Sequence, residues 1–164
     1  MSEIQVQDVM SELVTTVAPE DTIHEAAEQL ARNSVSGMPV VTGTRVVGMV
    51  SESDIIWALT PEQEREAGMT ILDFMMRFRH RDTAPNEHLR VRDIMSTLVA
   101  SVSPYASIWK AASIMHSRGI KRLPVTDNEG HLVGIVSRAD LIQAIAHDNT
   151  AVSDIQEAIR VSSE

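Results

Sequence analysis

The chain of 164 residues contains no cysteine. Disulfides, thiol nucleophiles and cysteine-based zinc sites are thereby excluded. Aromatic residues amount to only 3%, too few for the stacking platforms that hold single-stranded bases. Positive charge is scarce as well: 14 Lys and Arg stand against 23 Asp and Glu, for a formal net charge of −9. A field of that sign repels polyanions, which argues against general nucleic-acid or membrane-surface binding. No apolar run reaches the ~18 residues of a spanning helix. The opening Met1-Ser2-Glu3-Ile4-Gln5 has neither the basic nor the apolar region of a secretory leader. These absences predict a soluble protein of a reducing compartment, most simply the cytoplasm.

What is present is an internal repeat. Val6-Gln7-Asp8-Val9-Met10-Ser11 returns as Val91-Arg92-Asp93-Ile94-Met95-Ser96. The offset of 85 persists through Pro19/Pro104, Ile23/Ile108, Ala26-Ala27/Ala111-Ala112 and Pro39-Val40/Pro124-Val125. One residue is then added at Asp127-Asn128-Glu129-Gly130. Beyond it an offset of 86 relates Gly48, Val50, Ser51, Asp54 and Ile56 to Gly134, Val136, Ser137, Asp140 and Ile142. The chain is two copies of one supersecondary unit.

Each copy reads as β-α-β-β-α. Thr22-Ile23-His24-Glu25 is a capping box, and Ile23, Ala26, Ala27 and Leu30 form one face of the helix that follows. Ser107 takes the cap position in the second copy, with Ile108, Ala111, Ala112 and Met115 as the stripe. Met38 to Val41 and Arg45 to Val50 predict two strands joined by a turn at Thr42-Gly43-Thr44. Leu123 to Thr126 and His131 to Val136 repeat them. A second helix starts near Ser51 and near Ser137, and short strands are expected over Leu13–Val17 and Leu98–Val102. The expected fold class is α/β (α+β), with tandem repeats at 5–60 and 90–147 packed by pseudo-twofold symmetry. Alone, each copy would be marginal by surface-to-volume scaling. Residues 61–89 form an insert: Pro61-Glu62-Gln63-Glu64 suits a helix start, and Ile71 to Phe78 an apolar helical segment. A tail follows at 148–164, with a short helix expected over Val152–Ile159.

The chemistry concentrates in Gly48-Met49-Val50-Ser51-Glu52-Ser53-Asp54 and Gly134-Ile135-Val136-Ser137-Arg138-Ala139-Asp140. One reading of Ser-x-x-Asp is a helix cap with a first-turn acid, contributing ~1 kcal/mol. The other is a ligand site, since an ionised Asp is acceptor-only and its two oxygens suit the vicinal hydroxyls of a ribose. The six His residues show neither i, i+4 pairs nor clustering with acids, which argues against a metal site. No nucleophile motif or phosphate-binding glycine loop is present. The two Asp residues lie in separate copies and do not make one acid/base dyad.

The repeated Asp-(Val/Ile)-Met-Ser start, the (Met38/Leu123)-Pro-Val strand and the Gly-x-Val-Ser-x-x-Asp ending together resemble a CBS domain pair. This tandem module is named after cystathionine β-synthase and occurs also in IMP dehydrogenases, chloride channels and the γ subunit of AMP-activated kinase. The resemblance implies an adenosine-containing ligand, namely AMP, ADP, ATP or S-adenosylmethionine, in two clefts between the repeats. It assigns Asp54, with Ser51 and Ser53, to one cleft, completed by Asp93, Leu98, Val99, Lys121, Arg122 and Pro124. The other is assigned Asp140 and Ser137, completed by Asp8, Leu13, Val14, Met38 and Pro39. Because Gly37 stands where the second copy has Arg122, phosphate selectivity is expected in the Asp54 cleft alone. The implied role is regulation without a catalytic cofactor. The expected partners are a second copy of the chain, as a homodimer, and an effector protein still to be identified. A structural or dimerisation module with empty clefts, and a nucleotide hydrolase, are the competing functions.

Overall fold

A computed structural model describes residues 4–60 and 89–147. The helices expected within 61–78 and 152–159 lie outside the described residues. Two compact units divide the chain: Thr15–Val99 is the first, and Met1–Val14 with Ala100–Glu164 the second.

In the first unit, α1 (Ile23–Arg32) begins at Thr22, whose Oγ1 accepts the Glu25 N–H at 3.1 Å while Glu25 Oε2 accepts the Thr22 N–H at 2.7 Å. Its apolar face buries Ile23, Ala26 and Leu30. Strands β1 (Gly37–Thr42) and β2 (Arg45–Ser51) pair antiparallel. Their turn uses Gly43 at φ 61°, a left-handed conformation that favours glycine. Then come α2 (Glu52–Leu59) and the short α3 (Val91–Ile94). The core joins Met38, Val40, Val50 and Ile55 to Val91, which is fully buried.

The second unit repeats the plan. A 3-10 turn (Val6–Asp8) precedes α4 (Ile108–Arg118), the antiparallel pair β3 (Arg122–Thr126) and β4 (Leu132–Ser137), and α5 (Arg138–His147). Val6, Ile108, Met115, Leu123 and Val136 lie in its core.

The strands expected over Leu13–Val17 and Leu98–Val102 do not form. Only single parallel bridges occur there, Val17↔Val40 and Val102↔Val125. Leu13 and Leu98, at 98% and 87% exposure, lie outside any ladder that would bury them.

Each unit contains the Asp-(Val/Ile)-Met-Ser segment of the other sequence repeat. In the second unit the Val6 N–H donates to the Ala106 carbonyl at 2.8 Å, and Ser11 and Ile135 exchange N–H···O bonds of 2.9 Å each. The Val91 N–H likewise donates to the Asp21 carbonyl in the first unit at 2.9 Å, and Ser96 and Met49 exchange bonds of 2.9 and 3.0 Å. A small unit needs such added apolar area, and Val6 and Val91 supply it with no exposed surface left. The glycine of each Gly-x-Val-Ser stretch admits the incoming methionine: a Cβ on Gly48 would lie 2.6 Å from Met95 Sδ, and one on Gly134 2.6 Å from Met10 Sδ.

Candidate functional site

The two Ser-x-x-Asp motifs sit where a strand hands over to a helix. Ser51 ends β2 in an extended conformation at ψ 166°, and its side chain caps α2. Asp54 Oδ2 accepts both the Ser51 N–H at 2.8 Å and its hydroxyl at 2.6 Å. The second unit reproduces this: Asp140 Oδ2 accepts the Ser137 N–H and hydroxyl, each at 2.7 Å. Both carboxylates are half-buried.

The capping and ligand readings therefore divide one carboxylate between them. Two hydrogen bonds occupy the two lone-pair directions of Oδ2. Oδ1 of Asp54 and of Asp140 accepts none among the described residues. A vicinal diol can thus be held through Oδ1, with the carboxylate already oriented by its cap. Sequence alone suggested one hydroxyl for each oxygen, and the caps change that.

Within each unit the exchanged segment comes to the strand that leads into the cap. Ser96 bridges Met49, two residues before Ser51, and Ser11 bridges Ile135, two before Ser137. The chain then runs on to Leu98–Val99 and to Leu13–Val14. The first unit thus gathers Ser51, Ser53, Asp54, Asp93, Leu98 and Val99, and the second gathers Ser137, Asp140, Asp8, Leu13 and Val14. Asp8 and Asp93 have local duties: Asp8 Oδ2 accepts the Gln5 N–H at 2.9 Å, and Asp93 Oδ2 the Arg90 N–H at 2.8 Å.

Three assigned residues are core in their own units. Met38, Pro39 and Pro124 are each less than 2% exposed, so their side chains offer no surface to a ligand. The Pro39 and Pro124 carbonyls accept the Val17 and Val102 N–H groups at 3.2 and 3.1 Å. Lys121 is exposed and Arg122 half-buried. In the β3–β4 register Arg122 stands opposite Ser137, where Gly37 stands opposite Ser51 in the first unit.

Sequence reasoning missed Arg138. It occupies the first turn of α5, where the helix dipole disfavours a cation. Its Nε donates to the Ile120 carbonyl at 3.1 Å, and its backbone N–H to the Lys121 carbonyl at 2.9 Å. Glu52 holds the equivalent place in α2, its N–H donating to the Ser36 carbonyl at 3.1 Å. Aligning the two motifs residue by residue, Glu52 against Arg138, carried the signal. Among the described residues no cluster of three metal-binding side chains forms, and no helix is long and apolar enough to cross a membrane.

The family model described as CBS domain matches residues 6–61 and 91–147. An uncharacterised protein of Methanocaldococcus jannaschii, MJ1426, is 31% identical over 85% of this chain and 90% of its own. The CBS domain-containing protein YhcV of Bacillus subtilis is 33% identical over 83% of this chain and 81% of its own. Among solved structures, CBSX2 of Arabidopsis thaliana in complex with AMP superposes with a TM-score of 0.66 at 26% identity, covering 87% of this chain and 96% of that one. The CBS domain pair of protein MJ0100, in complex with 5-methylthioadenosine and S-adenosyl-L-methionine, superposes with a TM-score of 0.66 at 20% identity, covering 88% and 98%.

Proposed function

The chain belongs to the CBS-domain family, and from that premise we propose that it is a regulatory module binding an adenosine-containing ligand through its two Ser-x-x-Asp motifs. The observation that carries this reading is the pair of pre-oriented carboxylates, each with Oδ2 committed to its cap and Oδ1 open. Leu13 and Leu98 add exposed aliphatic surface of the kind an adenine ring needs in a chain poor in aromatics. The AMP complex of CBSX2 supports AMP, ADP or ATP as the ligand class, and the MJ0100 complex supports S-adenosylmethionine. Binding shifts the population between two arrangements of the module, which an effector protein reads. The reading includes a homodimer in the cytoplasm. Ile142 on α5 supports the dimer, being 66% exposed. A single mass in light scattering at micromolar concentration, equal to one chain, would overturn it.

The ribose assignment is tested by titration with AMP and 2′-deoxy-AMP. Asp54→Ala weakens AMP binding by about 1.5–3 kcal/mol, the scale of a hydrogen bond to a charged group. The deoxy ligand loses affinity for the parent protein and far less for the variant. Equal discrimination by both proteins removes Asp54 from the ribose. No thermal stabilisation by any adenine nucleotide, where ~100 Kd of ligand contributes ~2.7 kcal/mol, would leave the structural or dimerisation role standing.

A further inference from the structure

We infer that Met10 and Met95 are paired oxidation sites, and that converting their thioethers to sulfoxides releases the segments they anchor. Both side chains are half-buried, whereas Met38 and Met115 are 1% exposed. No cysteine is present to intercept a peroxide first.

Each thioether occupies the place a side chain would take on the opposing glycine. A Cβ on Gly134 would meet Met10 Sδ at 2.6 Å, Met10 Cγ at 3.1 Å and the Ser11 carbonyl oxygen at 3.1 Å. On Gly48 the corresponding distances are 2.6, 3.2 and 3.2 Å, to Met95 Sδ, Met95 Cγ and the Ser96 carbonyl oxygen. A flexible, polarisable thioether suits such a bare backbone surface.

Reaction with hydrogen peroxide is a two-electron oxygen transfer. A sulfur lone pair attacks one peroxide oxygen, the S–O bond forms and the O–O bond breaks. Sulfur is oxidised by two electrons, and the departing hydroxide takes the proton of the transferred oxygen and leaves as water. The product carries one more oxygen and a strong dipole, on a sulfur packed directly against the glycine backbone. The nearby N–H groups of Ser11 and Ile135, and of Ser96 and Met49, are committed to one another's carbonyls. The new acceptor thus finds none of these four donors free, and the flanking carbonyl oxygen repels it. Burying it there is unfavourable, so the segment leaves with its methionine. The second unit loses Val6 from its core and the first loses Val91.

The consequence for ligand binding rests on the proposed function, because these segments carry Asp8, Leu13 and Val14, and Asp93, Leu98 and Val99. The structural consequence does not, and it is measured without nucleotide. The full chain is treated with hydrogen peroxide, its methionines are mapped by peptide mass spectrometry, and amide hydrogen exchange is followed. Met10 and Met95 oxidise faster than Met38 and Met115, and exchange at Ser11, Ile135, Met49 and Ser96 rises on the order of tenfold or more as the bridges open. Methionine sulfoxide reductases restore protection. A Met10→Leu/Met95→Leu protein, similar in core volume, keeps its protection under peroxide. The proposal is overturned if Met10 and Met95 stay reduced while half-buried Met49 oxidises, or if exchange is unchanged once both are sulfoxides. Opening of the double variant under peroxide at the parental rate also overturns it. Should that variant not fold, reversal by the reductases in the parent protein still decides. AMP binding by the untreated protein reports separately on the ligand reading.

Discussion

In the first unit α3 is tied to the turn before α1 by charge: Arg92 Nη1 lies 2.7 Å from each oxygen of Glu20, and Arg90 Nη1 reaches the Glu20 carbonyl at 3.4 Å. In the second unit the equivalent positions are Gln7 and Tyr105, and no ion pair is possible between them. The backbone bonds are nevertheless the same. Arg92 N–H donates to the Pro19 carbonyl at 3.0 Å, and Gln7 N–H to the Pro104 carbonyl at 2.9 Å. Val91 and Val6 are equally buried. The segment's docking is therefore set by one valine, one methionine on glycine and the backbone. The exposed ion pair is an addition worth little, as surface pairs generally are.

The most disruptive test of this equivalence cuts into the cores. Met38 and Leu123 hold corresponding positions, 1% and 0% exposed. Either one replaced by Ala should cost about 3 kcal/mol, the usual range for a large-to-small change in a core. Native-state hydrogen exchange reads where the loss falls. Met38→Ala raises exchange in α1 and β2, and Leu123→Ala in α4 and β4. Unequal losses, with one variant near neutral, would break the equivalence.

A second test sharpens the difference at the caps. Arg122 has Gly37 as its counterpart, so phosphate selectivity is expected to be a property of one site per chain. Arg122→Ala should lower AMP affinity by about 1.5–3 kcal/mol, the range for a bond to a charged group, and leave adenosine affinity nearly unchanged. The family resemblance couples Arg122 to Asp54, while the β3–β4 register sets it opposite Ser137. A double-mutant cycle of Arg122→Ala with Asp54→Ala and with Asp140→Ala discriminates, the larger coupling naming the carboxylate that shares a ligand with Arg122. Two equal AMP sites, or unaltered AMP affinity in Arg122→Ala, would remove the asymmetry.

Much of this architecture was legible in the residues. Local signals are short-range, so Thr22-x-x-Glu25, Ser107 and the two Ser-x-x-Asp motifs located four helix starts. The short apolar runs at Met38–Val41 and Leu123–Thr126, with the turns beside them, located the hairpins to within a residue or two. The exchanged segments were not legible. Ser11 pairs with Ile135 across most of the chain, and nothing in either stretch alone names its partner. The glycine that receives each methionine was visible as a repeat feature, but its purpose was not. Leu13 and Leu98 looked like strand residues because an apolar side chain carries no mark of whether a neighbour will cover it. The double use of Asp54 escaped for a different reason: capping and ligand binding require the same residue, and only the geometry assigns an oxygen to each.

A smaller effect separates the ends of α1 and α4. Ser34 lies at φ 54°, a left-handed conformation costly for a residue with a Cβ, and the corresponding residue after α4 is Gly119 at φ 65°. Ser34→Gly should stabilise the protein by roughly 1 kcal/mol and Gly119→Ser should destabilise it by a similar amount. A Cβ on Gly119 meets nothing within 4 Å, so backbone conformation alone is tested. Thermal unfolding that moves both variants in the same direction would contradict the account.

The smallest expected difference is in the response to acid, and it crosses between the units. In the first, the Glu25 carboxyl is held below its ordinary value of 4.5, mainly by the Thr22 backbone N–H and then by the Thr22 hydroxyl. Lys110 stands at the corresponding place in α4, which has no such box. In the second unit, the Asp127 carboxyl is held below its ordinary value of 3.8, first by the His131 backbone N–H, then by the His131 ring and the Glu129 N–H. The Thr42–Arg45 turn between β1 and β2 has no carboxylate of this kind. A carboxyl whose folded value is lowered contributes stability that is fully present above its unfolded value and is lost as pH falls through the folded one. Acidification below 4.5 should therefore loosen the start of α1 but not of α4. Below 3.8 it should loosen the β3–β4 turn but not the β1–β2 turn. Both carboxylates are at the surface, so the effects are local and weakened by salt. Amide exchange at Glu25, Lys110, Gly43 and His131 across this range reads all four places at once. Asp127→Asn should abolish the acid response at His131 and leave that at Glu25 intact. If the four places loosen together, acid acts through the whole fold, and the local carboxylate account of the difference fails.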